Sequence, residues 1–163
     1  MFGITPIGWL HTLGSLPAIP AAAYMLVRYG RITPRSTAGR IYFASMVIGG
    51  LTVFLVAKAP ESPIIGAATL LFLFAGYTVG RVTALGRVRW YLETFLLTFT
   101  VFLLMVPTVS EILRRVPDGH PIATDPTSPI LRGALAGLAA MLILGLTAQF
   151  IYLFKFKGSR KEH

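Results

Sequence analysis

The chain has 163 residues, of which 55% are hydrophobic and only 13% are charged, and its formal net charge is +9. A soluble domain of this length would not bury so much apolar surface, so the composition indicates a membrane protein. The basic residues flank apolar stretches instead of gathering on one polar face, which argues against nucleic-acid binding. Cysteine is absent, which excludes disulfides and any site that needs thiolate ligands.

Five apolar stretches are each close to the roughly 20 residues that a membrane-spanning helix needs. We therefore predict an all-α fold, a bundle of five transmembrane helices without a soluble domain. The predicted spans cover about residues 8–27, 40–57, 63–80, 90–110 and 130–154, and a basic tail follows at 155–163. The first span has no basic residue before Arg28, so we expect it to be retained and not cleaved as a signal peptide.

The first two spans carry local signals for their shape. Pro17 and Pro20 lie near the middle of the first span. Each proline removes a backbone donor and crowds the carbonyl four residues earlier, so a kink or an opened turn is expected there. The second span follows a loop in which either Ser36 or Thr37 is suited to cap the first amides of the helix.

Basic residues are distributed unevenly between the two sides of the predicted bundle. Eleven Lys and Arg residues fall on the side of the loop between the first two spans, and four fall on the other. Because cytoplasmic loops are enriched in Lys and Arg, we expect the N-terminus outside and the C-terminus in the cytoplasm, in a bacterial inner membrane. The loop at 28–40 has no acidic residue, and its four arginines are expected to contact anionic lipid: Arg28, Arg31, Arg35 and Arg40.

Short motifs in the first four spans resemble a family of bacterial membrane proteins. They are His11, the sequence GRIY at residues 39–42, and the pair Arg89 and Trp90. Together, over about residues 8–110, they resemble the family catalogued as domain of unknown function 2306. Its members often carry histidines just before the GRIY-like step and before the later tryptophan, where this chain has Arg35 and Arg87. The resemblance implies no particular activity, and a ligand role of those histidines does not transfer to arginines.

Two histidines are the candidates for a ligand site. His11 lies in the outer part of the first span, where ionisable side chains are rare and often functional. It is either a neutral side chain hydrogen-bonded to a neighbouring helix or a ligand. His120, in the outer loop, lies on the same predicted side, and imidazole is the ligand type for haem b or a metal ion. Haem ligands in bundles normally come from helices, whereas His120 lies in a turn, so no metal site is predicted and haem b is kept as an alternative.

Glu93 is an acidic residue near the start of the fourth span. Arg89 precedes it by one helical turn on the same face, and Arg81, at the end of the third span, is placed to approach it across the hairpin. We predict an ion pair of Glu93 with Arg81 and Arg89 that holds these two spans together. The alternative is a proton or cation relay, which would need further acids or histidines along its path.

Small residues form two stripes at helical spacing, Gly76 and Gly80 on the third span and Gly133, Gly137 and Ala140 on the fifth. Membrane helices associate through close packing at such residues. Each stripe is therefore expected either to pack inside the bundle or to contact a partner protein or a second copy.

No nucleophile elbow, phosphate-binding glycine loop or zinc-protease motif occurs in the sequence. The sequence therefore predicts a non-catalytic integral membrane protein, an accessory subunit or assembly partner of a larger membrane complex. Its expected partners are the lipid bilayer and other membrane proteins or further copies of itself. Two alternatives stay open, a small redox or ligand-binding protein with haem b or quinone near the outer surface, and an oligomeric transporter or channel.

Overall fold

The computed structural model describes residues 6–57, 61–117, 120–125 and 127–158, and no strand occurs among them. The all-α prediction is confirmed for this part of the chain. The helices are α1 (Pro6–Ser15), α2 (Ala18–Tyr29), α3 (Thr37–Val56), α4 (Glu61–Val79), α5 (Val88–Arg115) and α6 (Pro129–Gly158), and a 3₁₀ turn lies at Thr83–Leu85.

Five helical segments are long and apolar enough to cross a membrane: Pro6–Tyr29, Thr37–Val56, Ser62–Val79, Val88–Arg115 and Pro129–Lys155. They match the five predicted spans in order and number, although α5 continues past Ser110 and keeps Pro107 inside the helix. The predicted basic tail begins as helix, because α6 extends to Gly158, and residues 159–163 lie outside the described part of the chain.

The two prolines divide the first span as expected. The chain forms a turn at residues 16–17 between α1 and α2. Pro20 cannot donate to the carbonyl of Leu16, and that oxygen accepts the amide of Ile19 instead, at 3.1 Å. The predicted break in the first span is therefore confirmed.

The chain divides into two compact units after Thr100, within α5. In the first unit α3 is the central helix and packs against α1, α2 and α4. Tyr42 on α3 is fully buried, and its hydroxyl lies 2.8 Å from Oγ1 of Thr100 at the end of the unit. Because Thr100 donates its own hydrogen to the carbonyl of Leu97, Tyr42 is the donor in this pair.

The second unit contains the rest of α5, the loop that follows it, and α6. The loop folds back on the end of α5, where Ala123 donates its amide to the carbonyl of Leu113 at 2.9 Å and its side chain is buried. Much of α6 is exposed, and Met141 and Leu144 each keep 69% of their surface accessible.

The loop between α2 and α3 has a defined conformation at both ends. Gly30 ends α2 in the left-handed region with φ 68°, and its amide donates to the carbonyl of Leu26. Ser36 caps α3, because its Oγ accepts the amide of Gly39 at 2.9 Å. Of the two capping candidates in the sequence, the structure selects Ser36.

We expect Ser36→Ala to lower the free energy of unfolding by about 1 kcal/mol, since the Gly39 amide loses its acceptor. The measurement is denaturant unfolding of the purified protein in mild detergent. Thr37→Ala is the matched control, because Thr37 is exposed and is not the cap, and its effect should stay within about 0.5 kcal/mol. Equal losses in the two variants would contradict the assignment of the cap.

Candidate functional site

A buried charge lies where α5 begins. Glu93 is only 3% exposed, and its Oε1 lies 3.7 Å from Nη1 of Arg31, which belongs to the loop after α2. Arg31 is itself mostly buried, with 22% of its side chain accessible. A carboxylate taken out of water needs a nearby positive charge, and this loop arginine provides one.

Gly80, the last of the sequence-predicted pair on α4, makes room for this carboxylate. A side-chain carbon built at Gly80 would overlap Oε2 of Glu93, so any larger residue there would force the buried carboxylate to move. One turn earlier, a carbon built at Gly76 would lie 2.5 Å from the side chain of Leu97. The stripe of Gly76 and Gly80 therefore packs inside the first unit, against α5.

Trp90 provides a platform for two arginines beside Glu93. The guanidinium carbon of Arg89 lies 4.9 Å from the ring centroid, and that of Arg31 lies 5.6 Å from it. Both distances are within the range of a cation–π interaction. The sequence placed Arg89 on the face of Glu93, and the structure shows it against the indole of Trp90.

The structure shows a partner of Glu93 that the sequence did not indicate. Glu93 forms an ion pair with Arg31, and Arg81 is exposed beyond the end of α4. The pairing of Glu93 with Arg81 and Arg89 stays a prediction. Sequence spacing favoured Arg89 because it lies four residues away on one helix. No spacing signal links Arg31 to Glu93, since their contact depends on where the loop after α2 lies against α5.

A cleft of about 400 Å³ opens where α3 begins and α4 ends. Three of its lining side chains are guanidinium groups, of Arg35, Arg40 and Arg81, and three are aromatic, of Phe43, Phe74 and Tyr77. Arg35 and Arg40 come from the predicted lipid-contacting loop, and Arg28 lies at the exposed last turn of α2. The four loop arginines therefore occupy three different environments.

His11 makes a contact between helices. Its Nδ1 lies 2.9 Å from Oγ1 of Thr52 on α3. Thr52 donates its hydrogen to the carbonyl of Ile48 at 2.6 Å, so its oxygen accepts a hydrogen bond from the Nδ1–H of the histidine. Neutral His11 in this tautomer has Nε2 as its acceptor nitrogen. This is the contact expected for a histidine that holds two helices together.

His120 belongs to the second unit and is exposed in the loop after α5, where its amide donates to the carbonyl of Pro117. In the same loop the pKa of Asp125 is lowered, because its carboxylate accepts hydrogen bonds from the amide and the hydroxyl of Thr127. Within the described ranges, no three His, Cys, Asp or Glu side chains are grouped as a metal ion would require.

The second small-residue stripe has a different environment from the first. Within their own unit, carbons built at Gly133 and at Gly137 meet no described atom within 4 Å, and Ala140 is exposed. We call these three residues the α6 stripe. They lie within about 60° of one another around the helix, at 3.6 residues per turn, and form one shallow, open face.

Comparisons of the chain with protein-family models, with curated proteins and with solved structures gave no match. The resemblance to the family of unknown function thus stays a prediction from short motifs. The features that bear on function are the buried Arg31–Glu93 pair, the cleft between α3 and α4, and the α6 stripe.

Glu93→Gln should lower the free energy of unfolding by about 2–3 kcal/mol, because Arg31 loses its counter-charge in a mostly buried position. The loss should be smaller than for a fully buried pair, since Arg31 keeps some access to solvent. The measurement is again denaturant unfolding in detergent, together with the double variant Arg31→Gln, Glu93→Gln, whose coupling energy isolates the pair.

The control for this prediction is Glu111→Gln. Glu111 forms an ion pair with Arg115 one turn away on α5, and more than half of each side chain is exposed. Such a pair contributes about 0.3–0.5 kcal/mol. If Glu93→Gln costs no more than this control, the structural interpretation of Glu93 is wrong and the relay interpretation gains support.

Proposed function

We propose that the chain is a non-catalytic integral membrane protein that acts as an accessory subunit, binding a helix of a larger membrane complex through the α6 stripe. The observation that carries this proposal is the difference between the two glycine stripes. Gly76 and Gly80 are occupied by α5 within their own unit, whereas the positions of Gly133 and Gly137 are open within theirs.

A stripe of small residues lets the backbone of a partner helix come close to the backbone of α6. Lipid tails are as apolar as leucine, so membrane helices gain little by hiding apolar side chains from them and associate through van der Waals packing instead. Glycine and alanine let two backbones come near enough for that packing. Acyl chains fill a shallow, irregular face less well than a complementary helix does, and this favours docking at Gly133, Gly137 and Ala140.

The proposed orientation has the N-terminus outside and the C-terminus in the cytoplasm of a bacterial inner membrane. It is supported by the excess of Lys and Arg on the side of the α2–α3 loop and by five helices of sufficient length. This orientation also places the buried Arg31–Glu93 pair near the cytoplasmic boundary, where a part-exposed arginine can remain hydrated.

Single cysteines at Ser36 and Thr127 should react with membrane-impermeant thiol reagents from opposite sides, with Thr127 outside. The chain contains no cysteine, so each label reports one position. The measurement uses intact and permeabilised cells, and Thr37→Cys serves as a second inside position beside Ser36. Labelling of residues 36 and 127 from the same side would contradict the five-span arrangement.

Gly137→Leu should abolish co-purification of the partner after mild solubilisation while the protein stays folded, because the new side chain fills the open stripe. Gly80→Leu should instead destabilise the fold, since its side chain overlaps Glu93. The two results together separate docking from internal packing.

Ala139→Leu is the matched control for Gly137→Leu. It adds a side chain of similar size on the same helix, about 200° away from Gly137 at 100° per residue, and should leave the partner bound. Loss of the partner in both variants would show that α6 does not dock through this stripe. If wild-type protein brings down only a second copy of itself, self-association replaces the accessory-subunit proposal.

The alternative of a small haem-binding protein has a separate test, the visible spectrum. A Soret band in the visible spectrum of the purified protein would show bound haem and would replace the accessory-subunit proposal by a haem-binding one, with His11 as the first ligand to test. A histidine that only joins α1 to α3 gives no such band.

A further inference from the structure

We propose that the cleft at the beginning of α3 and the end of α4 is a binding site for one anionic phospholipid. Its phosphate group lies among Arg35, Arg40 and Arg81, and its acyl chain lies on the aromatic side chains below. This inference rests on insertion of the helices in a membrane, as proposed above, but not on docking through the α6 stripe.

The positive charge of the cleft favours an anionic ligand. Three guanidinium groups line one cleft of about 400 Å³. Two ion pairs that the structure shows, Arg31–Glu93 and Arg115–Glu111, use other arginines. Arg35 lies on the side of the cleft nearer Glu93, with its Nη2 3.7 Å from a side-chain carbon built at Gly80. Like charges held this close repel one another, and a bound phosphate relieves that repulsion while it accepts several charge-assisted hydrogen bonds.

Backbone position adds to this positive potential. Arg40 belongs to the first turn of α3, which begins at Thr37 and runs for 20 residues. The amino end of a helix carries a partial positive charge and amides without partners in the helix. Arg81 lies two residues after the end of α4 and lines the cleft from that side, where its charge offsets the partial negative charge of the last helix carbonyls.

The aromatic side chains decide in favour of a lipid over a free phosphate ion. Phe43 packs edge-to-face on Phe74, with ring centroids 5.5 Å apart, and lies 4.6 Å from the ring of Tyr77. Phe74 remains 49% exposed. An inorganic anion makes no use of such a surface, whereas an acyl chain covers it.

The order of these groups along the helices matches a phospholipid at a membrane boundary. Phe43 lies one turn further along α3 than Arg40, and Phe74 lies about two turns before Arg81 on the way into α4. At 1.5 Å per residue these offsets are about 5 and 10 Å toward the hydrocarbon. The cations are thus at headgroup level and the aromatic rings at the level of the first methylene groups.

Tyr77 keeps the two walls of the cleft together. Its hydroxyl donates to the carbonyl of Gly39 at 2.5 Å, which joins α4 to the first turn of α3. The walls are therefore held in place by the protein itself. A volume of about 400 Å³ is within the usual range for small-molecule sites and suits one headgroup with the start of a chain.

The test is a lipid titration of the purified full chain in mild detergent, followed by native mass spectrometry. We expect phosphatidylglycerol to bind at least tenfold more tightly than phosphatidylcholine. Each arginine near an anionic headgroup contributes about a fivefold gain in affinity. The double variant Arg40→Gln, Arg81→Gln should therefore bind phosphatidylglycerol about 25-fold more weakly.

The matched control is the double variant Arg87→Gln, Lys155→Gln. It removes the same amount of charge from two exposed basic residues on the same proposed side, outside the cleft, and should change the affinity less than twofold. An equal loss in both double variants would show diffuse surface attraction and overturn the site. Equal binding of the two lipids, or displacement of phosphatidylglycerol by millimolar inorganic phosphate, would overturn it as well.

A second measurement needs no substitution and therefore holds even if the cleft variant does not fold. Phosphatidylglycerol with a photoreactive group near its phosphate is cross-linked to the wild-type protein, and the adduct is mapped by peptide mass spectrometry. Adducts within residues 34–43 or 74–81 support the proposal, and adducts only elsewhere overturn it. Cysteine labelling and Gly137→Leu report on insertion and docking separately, so failure of the lipid site is distinguishable from failure of the proposed function.

Discussion

Burial of the Glu93 carboxylate is the constraint on which this end of the first unit depends. A carboxylate that is 3% exposed is tolerated only with a compensating charge and space for both oxygens. Arg31 supplies the charge from the loop after α2, and Gly80 supplies the space on α4. Two separate segments of the chain must therefore converge on one residue of α5. This convergence fixes the course of the loop and, with it, the position from which Arg35 and Arg40 reach the cleft.

The two glycine stripes show why a motif does not determine its own use. Gly76 with Gly80 and Gly133 with Gly137 have the same spacing, and each lies on a helix apolar enough to cross a membrane. The structure fills the first stripe with Leu97 and Glu93 and leaves the second open. Which helix faces a stripe depends on packing between distant segments, and that information is absent from the stripe itself.

Most of the fold was predictable because it depends on residues close together in the sequence. The candidate site was only partly predictable because it depends on contacts between distant residues. Hydropathy located all five helical segments, the proline rule located the break before α2, and cap chemistry reduced the start of α3 to two residues, of which Ser36 is the cap. The contact of Glu93 with Arg31 was not predictable in this way. Spacing along one helix pointed to Arg89, but Trp90 offers that guanidinium a ring at 4.9 Å, and Arg31 reaches the acid from 62 positions earlier in the chain.

The four loop arginines form one group in the sequence but have different roles in the structure. By composition Arg28, Arg31, Arg35 and Arg40 were equivalent, a run of charge suited to an anionic membrane surface. Arg31 is mostly buried and forms an ion pair with Glu93, so it differs from the other three loop arginines. Arg28 complements the carboxyl end of α2, where helix carbonyls carry a partial negative charge. Arg35 and Arg40 line the cleft together with Arg81, so three guanidinium groups from two segments of the chain meet where we propose that a lipid phosphate binds.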